Sequence, residues 1–261
     1  MFIRTSIIAS ATLALLASVA QVEAHSWADC VDWRPKDPQN PGFRDSDGEC
    51  FGWARQYPMD KTPFAALDSS SPSRHYQQDH IANPVPCSNR RAGVEPGADE
   101  TRQDPISKAY GGKFGAQPRV KAGDTMCVRW PAKNHAAKNE REKFVRINMP
   151  LELLDKDPDQ KTFSNSTIAT IPFKNCHGVE SNPDAAPCGG CFPIPANLQT
   201  GNYVVQWRWE LNEGEFYASC WDLAVTGTDP TAPGGNQTAP LPPPTPLGRS
   251  TSVFGNLAKN I

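Results

Sequence analysis

The chain has 261 residues, 38% of them hydrophobic, and a formal net charge of −2. That length suits one medium domain with extensions. The near-neutral balance offers no electrostatic footprint for nucleic acid, and no apolar run is long enough for a membrane span.

Residues 1–24 read as a secretory signal peptide. Arg4 is their one positive charge, Ile7 to Ala20 is apolar, and Val22-Glu23-Ala24 puts small residues at the −3 and −1 positions of a cut. Cleavage after Ala24 makes His25 the first residue. Ser18-Val19-Ala20 also fits a cut, one that leaves four residues ahead of His25. A secreted protein without membrane attachment is expected. All eight cysteines (Cys30, Cys50, Cys87, Cys127, Cys176, Cys188, Cys191 and Cys220) follow the leader. An even count in an oxidising compartment predicts up to four disulfides, of unreadable connectivity. Cys188-Gly-Gly-Cys191 therefore reads as a disulfide-tied loop rather than a redox or zinc motif. The sequons Asn165-Ser-Thr167 and Asn236-Gln-Thr238 predict exposed, glycosylatable positions.

Residues 25–122 are rich in Pro, Gly, Asp and Ser and read as long disulfide-tied loops with short strands or helical turns. From Thr125 the pattern sharpens. "TMCVRW" (125–130), "KFVRINM" (143–149) and "STIATIPF" (166–173) are short β-rich runs between turn residues. In "NYVVQWRWEL" (202–211), Val205, Trp207, Trp209 and Leu211 alternate with Gln206, Arg208 and Glu210, which predicts a half-buried antiparallel strand. "NEG" then turns into "EFYASCWDLAVTG" (215–227), whose Glu215, Tyr217, Ser219, Trp221, Leu223 and Val225 share a face. The two runs predict a hairpin at the centre of the domain. Strands without helical periods between them predict an all-β fold, an immunoglobulin/fibronectin-like antiparallel β-sandwich over residues 25–227. Residues 228–261 are a Pro-rich, extended tail.

Five histidines are present: His25, His75, His80, His135 and His177. His75 and His80, in "SRHYQQDH", read as surface residues. An N-terminal His25 would offer two nitrogens, its amine and its ring. His135 lies in a polar loop just after the 125–130 strand, where a rigid scaffold can present a functional side chain. His177, in a cysteine-dense loop, is its rival. Two imidazoles and an amine form a planar three-nitrogen set that suits copper. The amine's ordinary pKa of about 7.7 lets a metal displace its proton near neutrality. Tyr217 could cover one axial face of such a metal, with Glu215 projecting beside it. Lys133, Lys138, Arg141, Lys143 and Arg146 could form a cationic rim for a polyanion, although Glu140 and Glu142 interleave with them. Trp27 and Trp33, near His25, are candidate exposed aromatics.

In these features the chain resembles the lytic polysaccharide monooxygenases: a histidine behind the signal cut, a loop histidine in "WPAKNH" and the ending "GEFYASC". The resemblance implies a copper site held by His25 and His135. It implies Tyr217 at the axial position, Glu215 at the neighbouring Gln/Glu position, and Cys220 as the cysteine that follows. It covers about residues 25–227. The opening "HSWADCVDWR" is most similar to the oomycete branch acting on pectin, specifically homogalacturonan. The resemblance further implies an external electron donor, dioxygen or hydrogen peroxide as co-substrate, and a monomer. Cellulose or chitin as substrate, or a non-catalytic copper-binding protein, are the alternatives.

Overall fold

The longest hairpin is built from two twelve-residue strands, β9 (Gly201–Asn212) and β10 (Glu215–Thr226). Val, Trp and Tyr fill these runs, side chains that pack well on a pleated surface. Glu213 and Gly214 make the turn between them. Gly214 has φ +73°, a left-handed conformation that glycine adopts without steric cost. The computed structural model describes residues 26–59, 77–80, 85–88, 98–132, 144–177 and 186–227. All belong to one unit, Met1–Thr228.

Around the hairpin a six-stranded sheet runs in the order β3–β10–β9–β6–β7, with β4 also on β10. Its other strands are β3 (Gln77–His80), β4 (Arg119–Lys121), β6 (Phe144–Asn148) and β7 (Thr167–Pro172). Every pairing is antiparallel except that of β4 with β10, which is parallel. β1 (Trp33–Pro35) pairs with β2 (Gly48–Cys50), and β5 (Thr125–Pro131) with β8 (Pro187–Pro193). The fold is all-β, as expected. The short strands and loops of the first half match the reading of residues 25–122.

The β5–β8 ribbon is the second layer. Val128 and Trp130 of β5 and Phe192 of β8 join Ile147, Trp207, Trp209, Trp221 and Leu223 of the sheet in the main core. On the ribbon's other face Cys127 packs with Cys30, Trp33 and Phe43. Close approach on both faces explains Gly189-Gly190. A Cβ at Gly189 would lie 2.2 Å from the Phe43 ring, and one at Gly190 2.3 Å from Ile171. Cys188-Gly-Gly-Cys191 is therefore not a loop: it is the middle of β8. Its cysteines take separate partners, in the pairs Cys176–Cys188 and Cys127–Cys191. With Cys30–Cys50 and Cys87–Cys220, all eight cysteines are paired.

Two other expectations are corrected. Trp27 and Trp33 are buried, not exposed. β9 is not half-buried, because its polar face is covered too. Val204 lies under Phe163 and the Cys87–Cys220 pair. The Gln206 amide exchanges hydrogen bonds with Gln160 and accepts from Asn148 at 3.0 Å. Arg208 stacks on Phe216 at 3.6 Å. The cover comes largely from α1 (Gln160–Ser164), a short helix whose N-cap Asp159 accepts from the Thr162 N–H at 2.8 Å. Buried amides are tolerated there because they are hydrogen-bonded.

The outer edge of β10 is closed piecewise. β3 pairs with residues 215–218 and β4 with 224–226. Between them the Arg55 N–H donates to the Cys220 carbonyl, and the Cys220 N–H donates to Glu100. The Asp222 N–H donates to the Tyr110 oxygen at 2.7 Å. Beneath this edge Arg55 makes a two-bond fork to Asp222 at 2.8 Å and reaches Asp157 at 2.7 Å. Both Arg55 and Asp222 are fully buried, a placement that requires such pairing.

Candidate functional site

His25, His75 and His135, with Lys133, Lys138, Arg141 and Lys143, lie outside the described residues. Ser26, which follows His25, and the strand that ends at Pro131, ahead of His135, are described. Ser26 is buried, and its hydroxyl donates to the carbonyl of Pro131, the last residue of β5, at 2.7 Å. Two residues on, the Ala28 N–H donates to the Ser219 hydroxyl at 3.1 Å. Ser219 sits on β10 on the same face as Tyr217. The residue after His25 and the strand end before His135 are thus held together, and Ala28 ties this stretch to Ser219 on β10. Next along, Cys30 bridges Arg129, and Arg129 makes a fork to Asp29 and reaches Asp45 at 2.6 Å. Below the same stretch Tyr57 is buried, and burial first, then the charge of Asp29, pushes its phenol well above the usual range.

Tyr217 and Glu215 are brought together. Tyr217 is almost wholly buried, with its ring 6.1 Å from Trp209, which stacks on Phe173 at 3.9 Å. The Tyr217 hydroxyl donates to Glu215 Oε1 at 3.1 Å. The Asn212 amide donates to Glu215 Oε2 at 2.7 Å. A bulge between Glu215 and Phe216 re-aims the carboxylate at the hairpin tip. The Gly214 N–H donates to Glu210 at 2.9 Å and fixes the turn. With hydrogen bonds to both oxygens, the carboxylate is held as a hydrogen-bond acceptor beside a phenol.

Asn212 was not among the sequence candidates, since one amide in a turn carries no periodic signal. His80, read from the sequence as a surface residue, is the Cα partner of Glu215 in the β3–β10 pair.

His177 is not brought to Tyr217. Its N–H donates to the Pro187 carbonyl at 3.0 Å, which seats it at the same end of β8. Its ring lies 6.1 Å from Phe43, on the face of the β5–β8 ribbon opposite the main core. Arg146, on β6, is half-buried between Thr170 and Arg208 in register. Asn165 is exposed, as its sequon predicted. Among the described residues no group of three or more His, Cys, Asp or Glu could hold a metal ion, and no helix is long and apolar enough to cross a membrane.

No family model matches the chain, and no curated protein matches it. Among solved structures it is similar to an AA10 lytic polysaccharide monooxygenase from Streptomyces lividans, with TM-score 0.38 and 14% identity over 56% of this chain and 81% of that one. It is also similar to entomopoxvirus fusolin, with TM-score 0.30 and 15% identity over 53% of this chain and 46% of that one. At TM-scores under 0.5 these likenesses carry no functional argument.

Proposed function

We propose that the protein is a secreted, copper-dependent monooxygenase that cleaves polysaccharide oxidatively, with homogalacturonan as its substrate. The supporting observation is the Ser26–Pro131 hydrogen bond, which ties the residue after His25 to the strand that precedes His135, while Ala28 is bonded to Ser219, two residues from Tyr217 on β10. In this reading the amine and ring of His25 and the ring of His135 hold one copper ion. When bound, copper supplies one-electron chemistry that activates dioxygen or hydrogen peroxide, with an external reductant.

The chain's own residues set the conditions for that chemistry. An amine and two imidazoles, if brought together, are donors that would suit copper. Tyr217 presents a buried phenol, and its hydroxyl proton is held on Glu215. Glu215, fixed on its far oxygen by Asn212, orients the oxygen co-substrate and holds or returns a proton at Oε1. The aromatic wall of Trp209 and Phe173 behind Tyr217 excludes water. The basic residues around His135 in sequence, with Arg146, supply charge that attracts a polyuronate.

The test begins with mass mapping of the N-terminus of the naturally secreted protein. A chain starting at His25 is expected, binding one copper ion with an affinity that His135→Ala abolishes. Mass spectrometry of homogalacturonan treated with protein and reductant should then find oxidised oligomers. A chain starting at Gln21 removes the amine from the site and overturns the reading. Copper binding without oxidised products identifies a copper-binding protein that is not an enzyme.

A further inference from the structure

On the face of the β5–β8 ribbon away from Tyr217, the segment from Lys36 to Asp47 folds against His177 and encloses a cleft of about 450 Å³. The frame of this cleft is fixed. The Trp33 indole donates to the Gly42 carbonyl at 2.8 Å, and the Lys36 ammonium to the Ser46 carbonyl at 2.8 Å. The Cys176–Cys188 disulfide anchors the residue before His177. Asp37 accepts the N–H groups of Gln39 and Asn40 through Oδ1. Asp47 accepts the Arg44 N–H through Oδ2 and the Ser46 hydroxyl through Oδ1.

Asp47 and one oxygen of Asp37 are therefore occupied by the turns they stabilise, whereas the Arg44 and His177 side chains are not. The Arg44 guanidinium and the His177 ring nitrogens make no hydrogen bond among the described residues. Lys36 uses one of its three donors. A cleft whose backbone is already held by its turns loses little freedom when a ligand arrives.

We infer that this cleft is a second saccharide site, built for a uronate residue. A planar carboxylate matches the guanidinium fork of Arg44, and His177 can donate to it from the cleft wall. Sugar hydroxyls find an acceptor in the free oxygen of Asp37 and a donor in the amide of Asn40. A neutral sugar would bring the guanidinium no carboxylate beyond the Asp47 beside it, whereas a uronate brings its own. The site lies apart from the hairpin tip, so the inference goes beyond the copper reading: it holds equally for a protein that binds the polymer without cutting it.

The experiment uses the full secreted chain, stripped of copper, with trigalacturonate and cellotriose as probes, read by amide NMR shifts and calorimetry. Trigalacturonate should shift the signals of residues 36–47 and 177, and cellotriose should not. Arg44→Gln with His177→Gln should weaken the affinity about tenfold, as loss of a charge-assisted fork does. Arg119→Gln, an exposed cation on β4 outside the cleft, should leave the affinity unchanged. The inference is overturned if cellotriose shifts the same signals equally, if the shifts fall elsewhere, or if Arg119→Gln weakens binding as much as the cleft variants. Because no copper is present, failure here is distinct from failure of the oxidative reading, which the N-terminal mapping decides.

Discussion

The Ser26 hydroxyl donates to the carbonyl of Pro131 across 105 residues of sequence, in a buried position. No local pattern announces this bond, and it joins the stretch that follows His25 to the strand that precedes His135, the two histidines proposed to hold copper. Ser26→Ala leaves a buried carbonyl without its partner, which costs about 1–3 kcal/mol of stability by chemical denaturation. Loosening the support of metal ligands typically costs 10–100-fold in affinity. A drop of about tenfold in copper affinity is therefore expected in a calorimetric titration of Ser26→Ala.

At the hairpin tip, Asn212 and Tyr217 divide the two oxygens of Glu215 between them. Asn212 is exposed, so Asn212→Ala should change stability by no more than about 0.5 kcal/mol. Freed on one side, the carboxylate can rotate, and the oxidation rate of the copper-loaded protein should fall several-fold with its melting temperature unchanged. Tyr217→Phe removes the other donor and should cost about 1 kcal/mol. If Asn212→Ala leaves the rate as it was, Glu215 needs no fixing from the turn.

Gly189→Ala tests the packing of the ribbon. The added methyl would sit 2.2 Å from the Phe43 ring, which is itself buried. Overpacking of this kind costs about 1–3 kcal/mol. Phe43 also backs His177, so the ring signals of His177 should shift in the same variant.

Under the main sheet, Asp222 neutralises Arg55 from a fully buried position, and Arg102 approaches it at 3.1 Å. Asp222→Ala leaves these cations without their shared partner. Removing one member of a buried pair costs about 3–5 kcal/mol, and the denaturation midpoint should fall accordingly. An unchanged midpoint would mean that Asp157 alone suffices.

Asp47 carries a signed pH dependence. Burial works against its charged form, but the Arg44 N–H and the Ser46 hydroxyl, with the charges of Arg44 and His177, outweigh it and hold the carboxyl below its ordinary value. A carboxyl depressed in the fold contributes stability that is present above its unfolded value, about 3.9, and is lost as pH falls through the folded value. Asp47→Asn should therefore narrow the stability difference between neutral and strongly acid solution. A carbon-detected NMR titration should find the Asp47 midpoint below the ordinary value.

Much of the second half was legible because period-two alternation reports a strand directly, as in β9 and β10, and because short β-rich runs between turn residues marked β5, β6 and β7. β8 escaped for a local reason: Gly189 and Gly190 have no side chains to alternate, although both faces of the strand are packed. β9 looked half-solvated because Gln206 and Arg208 are polar. They are covered by Gln160 and Asn148, from distant sequence, in one case and by the Phe216 ring of the neighbouring strand in the other. Glu215 and Tyr217 could be paired from their spacing alone. Asn212 and the register of His80 could not, because hairpin bulges and strand pairing are set by tertiary contacts rather than by composition. Cysteine pairing was unreadable for the same reason.

The closure of β10 has a consequence for how the chain comes into being. Its outer edge is sealed by Gln77–His80, Arg55, Glu100, Tyr110 and Arg119–Lys121, all made well before β10 itself. Cys87 waits 133 residues for Cys220. During synthesis the first hundred residues therefore have hydrogen-bonding groups and a thiol whose partners do not yet exist. Contacts of such long sequence separation form slowly, so maturation should lag until the last strand has left the ribosome. A chain truncated before Glu215 should leave the Cys87 thiol open to labelling, and one extended through Thr226 should protect it.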